Sequence, residues 1–130
     1  MKDCSFCEPD PDRVFASGEF AFAIWDSYPV SPGHALIVPR RHVPHGWHGL
    51  RPAESDQIFE LIDTVIVALQ VKYEMNGYNL GMNTGEAAGQ TIDHTHLHII
   101  PRYTGDCEDP RGGVRHCIPG SGKGYYQRDK

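Results

Sequence analysis

The stretch TIDHTHLHIIPR, residues 91–102, places histidines at three alternate positions, His94, His96 and His98. Alternate side chains of a strand point to the same face of a sheet, so a strand here would present three imidazoles on one side. The intervening threonine, leucine and isoleucine are residue types that strands favour. We therefore predict a strand over Ile92–Ile100 with a histidine face and a buried face.

The spacing of these histidines limits the chemistry that they can perform. Alternate residues of a strand lie about 6.6 Å apart, whereas zinc–nitrogen bonds are about 2.0–2.1 Å, so one metal ion could bind two neighbouring rings but hardly three. A neutral imidazole is a good nucleophile near pH 7, and adjacent rings can donate hydrogen bonds to phosphate oxygens. The pattern favours phosphoryl or nucleotidyl transfer. Two alternatives are inert, exposed histidines and a metallohydrolase with catalytic zinc on His94 and His96.

A glycine-containing loop, NTGEAAG at residues 83–89, precedes the histidines. Gly85 and Gly89 permit close approach of a ligand to the backbone, whose N–H groups in this region could bind phosphate. Each glycine taken alone also fits an ordinary turn.

The four cysteines fall into two groups. Cys4 and Cys7 have the Cys-x-x-Cys spacing of metal sites and redox motifs. Cys107 and Cys117 lack that spacing and fit two ordinary thiols of the tail. Four cysteines in a reducing compartment argue against a disulfide framework.

The elements that must position these residues follow from local patterns. One long helix is predicted to begin at Pro52, which suits a first helical position, and to end before Gly77. Its apolar stripe recurs at three- and four-residue intervals, at Ile58, Leu61, Ile62, Val65 and Leu69. Besides the histidine strand, four strands are predicted, at Arg13–Ser17, Phe20–Trp25, His34–Val38 and Tyr78–Met82.

Short links between successive strands, with one long helix, predict an α+β fold with an antiparallel sheet and the helix on one face. We expect a single domain over residues 1–130. The tail, residues 103–130, is rich in glycine and proline and is predicted to be an extended C-terminal arm.

Composition excludes several classes of function. The net charge is −5 and the basic residues are scattered, so binding to nucleic acid is not expected. No stretch approaches the roughly 20 apolar residues of a membrane span, and the first residues, MKDCSFCEPDPD, do not resemble a signal peptide. We expect a cytoplasmic protein without a membrane partner.

The segment HTHLHII, residues 94–100, resembles the signature of the histidine triad (HIT) family, His-φ-His-φ-His-φ-φ with φ apolar, although Thr95 occupies an apolar slot. Residues 83–91 are similar to the loop that precedes the signature in that family. The segment DPRGGVR is similar to the tails of bacterial diadenosine tetraphosphate hydrolases. The resemblance, which covers Cys4 to about Arg102, implies a five-stranded antiparallel sheet with one long and one short helix.

The resemblance also implies an activity, the cleavage of a dinucleoside polyphosphate through a covalent nucleotidyl-histidine. His96 matches the nucleophile that attacks the α-phosphorus, and His98 and His94 match the residues that assist it. Asn83 and Gln90 match positions that contact phosphate. Alternatives are a nucleoside phosphoramidate hydrolase and a nucleotide-binding module with little catalysis.

Bacterial members of the family often hold a structural zinc ion. The matching positions are Cys4, Cys7, His42 and His94, which would attach an N-terminal arm, residues 1–12, to the sheet. His45 and His48 compete with His42 for the third position. His48 could instead lie near the phosphates, as a histidine does in the fragile-histidine-triad branch.

The nucleoside site is implied by two further positions. Phe6 belongs to the region where the family encloses the base between apolar side chains, and Asp26 matches a residue that binds ribose hydroxyls. Asp26 also fits an ordinary turn acid. Family members are usually homodimers, so a homodimer is expected here, and Tyr125 and Tyr126 of the tail could contact a second nucleoside or the other subunit.

Overall fold

The computed structural model describes residues 4–120 and confirms the α+β fold. Five strands form one antiparallel sheet in the order β1-β2-β3-β5-β4. The strands are β1 (Val14–Ser17), β2 (Ala21–Trp25), β3 (Ala35–Pro39), β4 (Gly77–Gly81) and β5 (Leu97–Arg102). One α-helix, α1 (Pro52–Tyr73), lies between β3 and β4 along the chain and packs mainly on β2 and β3.

Helix α1 begins and packs as its sequence predicts. Glu54 accepts a hydrogen bond from the Arg51 backbone N–H at 2.7 Å and pairs with Arg41 at 2.7 Å, which lowers the pKa of this buried carboxyl. The buried residues of its apolar stripe are Ile58, Leu61, Val65 and Leu69. The helix ends at Tyr73, and Gly77 begins β4.

The central strands β2 and β3 are buried on both faces. In β2 the side chains are small on one face of the sheet and large on the other. Ala21 and Ala23 of β2 face α1, where small side chains let the helix approach the sheet. Phe22 and Ile24 point to the opposite face and pack with Phe6 of the N-terminal segment. The N-terminal segment therefore forms a second layer on the face that α1 leaves uncovered.

The histidine strand begins later than predicted. The predicted strand Ile92–Ile100 is wrong at its start, because β5 begins at Leu97 and continues to Arg102. In the register of β3 and β5, Thr95 would stand opposite Pro39, which has no N–H to donate to the ladder. Thr95 instead donates its N–H and hydroxyl to the Val43 carbonyl, at 2.6 and 2.7 Å. Only His98 of the three histidines is in a strand.

The connecting segments contain four short 3₁₀ helices within the described residues: Pro11–Arg13, Trp47–Gly49, Glu86–Ala88 and Gly113–Cys117. The last of them, Gly113–Cys117, lies in the tail predicted to be extended. It contacts β4. Tyr125 and Tyr126 lie outside the described residues. In residues 4–120, every helix is too short or too polar to cross a membrane.

Candidate active site

A cavity of about 480 Å³ opens on the sheet face opposite α1, a size within the range of small-molecule sites. Seven of the predicted site residues line it: Phe6, Asp26, Asn83, Gly89, Gln90, His96 and His98. These residues come from the N-terminal segment, the end of β2, the loop before β5, and β5 itself. Positions far apart in the sequence are thus brought to one surface.

The His96 ring is held in one tautomer. It is buried, and its Nδ1 lies 2.8 Å from the His94 carbonyl oxygen, which can only accept a hydrogen bond. Nδ1 therefore carries the hydrogen, and in the neutral ring Nε2 keeps its lone pair. The Phe6 ring contacts His96 edge-on at 5.0 Å between centroids. His96 is thus oriented by its own segment and by the N-terminal segment.

The tautomer of His98 is set by His34. The Val30 N–H donates to His34 Nδ1 at 3.1 Å, so the His34 hydrogen is on Nε2, which lies 2.9 Å from His98 Nδ1. His98 Nδ1 accepts this bond, so in the neutral ring the His98 hydrogen is on Nε2. Asp26 Oδ2 lies 3.3 Å from His34 Nε2, and Asp26 Oδ1 accepts from the Tyr28 N–H at 2.7 Å.

His98 and His34 both favour the neutral form. Burial, followed by the electrostatic effects of His96 and His34, lowers the pKa of His98 to about 4, although Asp26 opposes this shift. Burial also lowers the pKa of His34. At neutral pH His34 and His98 are therefore uncharged, with fixed hydrogen positions.

The turn before β3 places His34, a residue whose role the sequence analysis missed. Gly33 has φ 85°, and a Cβ there would lie 2.9 Å from the Tyr73 ring, so the turn requires glycine. His34 follows this glycine directly before β3. Its side chain is buried, and its backbone N–H donates to the Ser31 carbonyl at 3.2 Å. A polar residue directly ahead of the apolar run ALIV was the available signal.

His94 faces away from the cavity. Its ring is fully buried, and Nε2 lies 2.7 Å from the Pro39 carbonyl oxygen, so Nε2 carries the hydrogen. Nδ1 points at two thiols, 3.4 Å from Cys4 Sγ and 3.5 Å from Cys7 Sγ. Burial lowers the pKa of His94, which keeps the Nδ1 lone pair available. The triad therefore serves two different sites.

The second site is the thiol cluster Cys4, Cys7, His42 and His94, whose ligand atoms all lie within 4.8 Å of one another. Cys7 Sγ lies 3.2 Å from His42 Nδ1. Zinc bonds to sulfur and nitrogen of about 2.3 and 2.0–2.1 Å imply a separation of about 3.5 Å in a tetrahedron, so the donor set and spacing fit a metal ion. The His94–Pro39 hydrogen bond is the outer support that metal-bound histidines usually have.

Burial, followed by the neighbouring Cys4, raises the pKa of the Cys7 thiol, so metal binding would displace a proton there. All four cysteines, which lie within the described residues, are free thiols. His45 and His48 are exposed and are not part of the cluster. His48 lies on the short helix Trp47–Gly49, outside the cavity lining, and its contact with phosphate stays a prediction.

The glycine loop is held together by Gln90. Its Oε1 accepts from the Gly85 N–H at 2.8 Å, and its Nε2 donates to the Pro44 and Ile92 carbonyls at 2.8 and 3.0 Å. Gly89 has φ 92° and donates its N–H to the Glu86 carbonyl at 3.0 Å. The Gln90 amide thus binds the backbone of its own loop and of a neighbouring segment, while Asn83 and Gly89 are exposed at the cavity.

Comparison with known proteins places the chain in a family. A HIT domain model matches residues 8–105, so the chain belongs to the HIT family. A Schizosaccharomyces pombe bis(5'-nucleosyl)-tetraphosphatase (asymmetrical) is 34% identical over 75% of this chain and 53% of its own length. An AP-4-A phosphorylase of Mycobacterium tuberculosis is 33% identical over 72% of this chain and 48% of its own length.

The chain thus spans about half the length of these two relatives. Among solved structures, a HIT family protein of Bacillus anthracis aligns with a TM-score of 0.73 at 32% identity, covering 80% of this chain and 76% of that one. The five-stranded antiparallel sheet and its long helix are the HIT fold.

Proposed function

We propose that this protein cleaves a dinucleoside polyphosphate at its α-phosphate through a covalent intermediate on His96. The observation that carries the proposal is the tautomer of His96, whose Nδ1 is held by the His94 carbonyl so that the Nε2 lone pair is free at the cavity. The relatives named as a tetraphosphatase and an AP-4-A phosphorylase support this class of substrate.

In the first step His96 Nε2 attacks the α-phosphorus, and the bond from that phosphorus to the bridging oxygen breaks. The leaving polyphosphate takes the electron pair of that bond. His98 Nε2–H, whose position follows from the contact of His34 with His98 Nδ1, would donate a hydrogen bond to an oxygen of the reacting phosphate. Burial keeps the His98 ring neutral at neutral pH, and the contact with His34 keeps the hydrogen of this neutral ring on Nε2.

In the second step water attacks the nucleotidyl-histidine, the nitrogen–phosphorus bond breaks, and nucleoside monophosphate leaves. Inorganic phosphate in place of water would give nucleoside diphosphate, the alternative that the phosphorylase relative suggests. A phosphoramidate substrate would use the same attack with an amine as the leaving group. In all three reactions His96 is the nucleophile.

The other cavity residues have roles suited to the substrate. Asn83 and Gly89 lie exposed on the loop beside His96, where phosphate oxygens would lie. Phe6 offers an apolar wall for the base. Asp26 has one carboxylate oxygen directed at His34 and His98, so it would bind ribose hydroxyls only in competition with those contacts.

The test is the substitution His96→Asn, which keeps a side chain of moderate size but removes the nucleophile. We expect turnover of diadenosine tetraphosphate to fall by about a thousandfold or more, with affinity for AMP roughly unchanged. Mass spectrometry of wild-type protein, quenched rapidly without acid because a phosphorus–nitrogen bond to histidine is acid-labile, should show the adenylyl adduct, and ¹⁸O-water should label AMP. The matched control is His45→Asn, an exposed histidine outside the cavity. Unchanged turnover in the His96 variant would refute His96 as the nucleophile, and a wild type without turnover would leave only a nucleotide-binding module.

We further propose that the thiol cluster holds a structural zinc ion, on the tetrahedral fit of its two thiols and two imidazoles. When bound, the ion would supply cross-links that hold residues 4–7 on the sheet. One of the residues that the ion would hold is His94, whose backbone carbonyl orients the proposed nucleophile His96.

We also infer a homodimer. Helix α1 exposes apolar side chains at Phe59, Val67 and Val71, and the terminal strand β4 exposes Tyr78 and Leu80. Exposed apolar patches and terminal strands are commonly covered by a partner subunit. Light scattering should give about twice the mass of one chain, and Val67→Lys with Val71→Lys should reduce it to the monomer mass, whereas a monomeric wild type would refute the inference.

A further inference from the structure

The carboxylate of Asp26 and the rings of His34 and His98 direct three donor atoms at one point. We propose that this cluster is a second metal site, which takes a divalent transition metal ion such as Ni²⁺, Co²⁺ or Zn²⁺ in competition with the hydrogen that now joins the two imidazoles. The site is separate from the thiol cluster and goes beyond the proposed reaction. Metal binding at this cluster can be measured without turnover of a substrate.

The three interatomic distances define the site. His34 Nε2 lies 2.9 Å from His98 Nδ1 and 3.3 Å from Asp26 Oδ2, and His98 Nδ1 lies 4.0 Å from Asp26 Oδ2. The point equidistant from the corners of such a triangle lies about 2.0 Å from each atom, which matches the metal–nitrogen and metal–oxygen bond lengths of about 2.0–2.2 Å found for zinc. An ion could therefore sit among these atoms without a large movement of the backbone.

The donor set selects the class of metal. Two imidazoles and one carboxylate suit borderline transition metals, whereas calcium and magnesium prefer oxygen ligands alone. The carboxylate is the one formal negative charge of the cluster, so a dication would be partly neutralised. All three residues line the cavity, with His34 buried and Asp26 and His98 half-buried, and water from the cavity could complete the coordination.

One contact opposes metal binding and limits its affinity. A metal on His34 Nε2 requires the imidazole hydrogen to move to Nδ1, where the Val30 N–H now donates at 3.1 Å. Two donors would then face each other, and the loop containing Val30 would have to shift. The loss of such a bond weakens binding about tenfold to a hundredfold. The cluster should therefore bind metal less tightly than the thiol cluster.

The test is a calorimetric titration of Ni²⁺ into the full chain after its bound zinc has been measured. We expect one Ni²⁺ per chain to bind while zinc is retained. Asp26→Asn and His34→Gln should each weaken this binding at least tenfold, with unchanged circular dichroism. The control variant, His45→Gln with His48→Gln, removes two exposed histidines and should keep it.

Two results would overturn the second site: the absence of Ni²⁺ binding beyond the thiol cluster, or binding that survives in both cluster variants, whether or not the control keeps it. Turnover measured in the same titration separates this inference from the proposed function. If Ni²⁺ binds as expected but turnover is unaffected, the metal site stands and the proposed reaction is not contradicted, because Ni²⁺ would bind His98 at Nδ1 and leave its Nε2–H for phosphate.

Discussion

At the scale of single residues, the site depends on which nitrogen of each imidazole carries hydrogen. Three backbone groups decide this: the carbonyls of His94 and Pro39, and the N–H of Val30. The sequence predicted the histidine triad, and the structure separates it, with His94 at the thiols and the other two at the cavity. The hydrogen-bond partners of these imidazoles could not be predicted from the sequence, because contacts such as that between His34 and His98 join residues 64 positions apart.

His34 provides a prediction at this scale, as a positioning residue that acts through His98. In His34→Leu the His98 Nδ1 loses its buried donor, and we expect kcat to fall about tenfold to a hundredfold while KM changes little. His34→Gln retains an N–H donor and should recover most of the activity.

The measurement that isolates positioning is the ¹⁵N spectrum of the His98 ring. It should show hydrogen on Nε2 in the wild type and in the glutamine variant, and a mixture of tautomers in the leucine variant. Wild-type kcat together with an unchanged ring spectrum in His34→Leu would contradict this role.

At the scale of elements, the N-terminal segment links the two sites. Cys4 and Cys7 flank the turn that contains Phe6, and Phe6 is buried against Phe22 and contacts His96. A metal ion at the thiols would therefore hold a wall of the cavity and, through His94, the carbonyl that orients the His96 ring. The sequence predicted the ligands and the strands, but it missed the late start of β5, because that start depends on hydrogen bonds to Val43, 52 positions away.

This linkage predicts that metal and nucleotide stabilise each other's binding. Removal of the bound metal with a chelator should weaken AMP binding about tenfold, and AMP should increase the affinity for the metal by the same factor, since coupling between two sites is reciprocal. In Phe6→Ala, AMP binding should be weaker from the start and respond less to the chelator. Phe20→Ala, an exposed phenylalanine, is the matched control. Equal AMP affinity with and without metal in the wild type would disprove the linkage.

At the scale of the whole molecule, the fold could be predicted because each pattern is local. The helix stripe and the alternation of β2 each determine a buried face, and the histidine signature indicates the family. The cavity could not be predicted in the same way. It forms where the N-terminal segment, the loop before β5 and the turn before β3 meet, and their packing brings uncharged imidazoles into a partly buried site.

That burial makes the stability of the molecule depend on pH. The folded protein keeps His98 neutral down to about pH 4, whereas an unfolded chain protonates histidine near pH 6.5, so the unfolded state binds more protons between these values. The stabilisation is complete above about pH 6.5 and is lost as the pH falls toward 4, by at most about 3 kcal/mol from His98. His34 and His94, whose pKa values are also lowered by burial, act in the same direction. Urea unfolding between pH 4.5 and 7.5 should show this decline, and His98→Asn should have a shallower slope than the wild type. Identical slopes for the two proteins would show that the folded state does not hold His98 neutral.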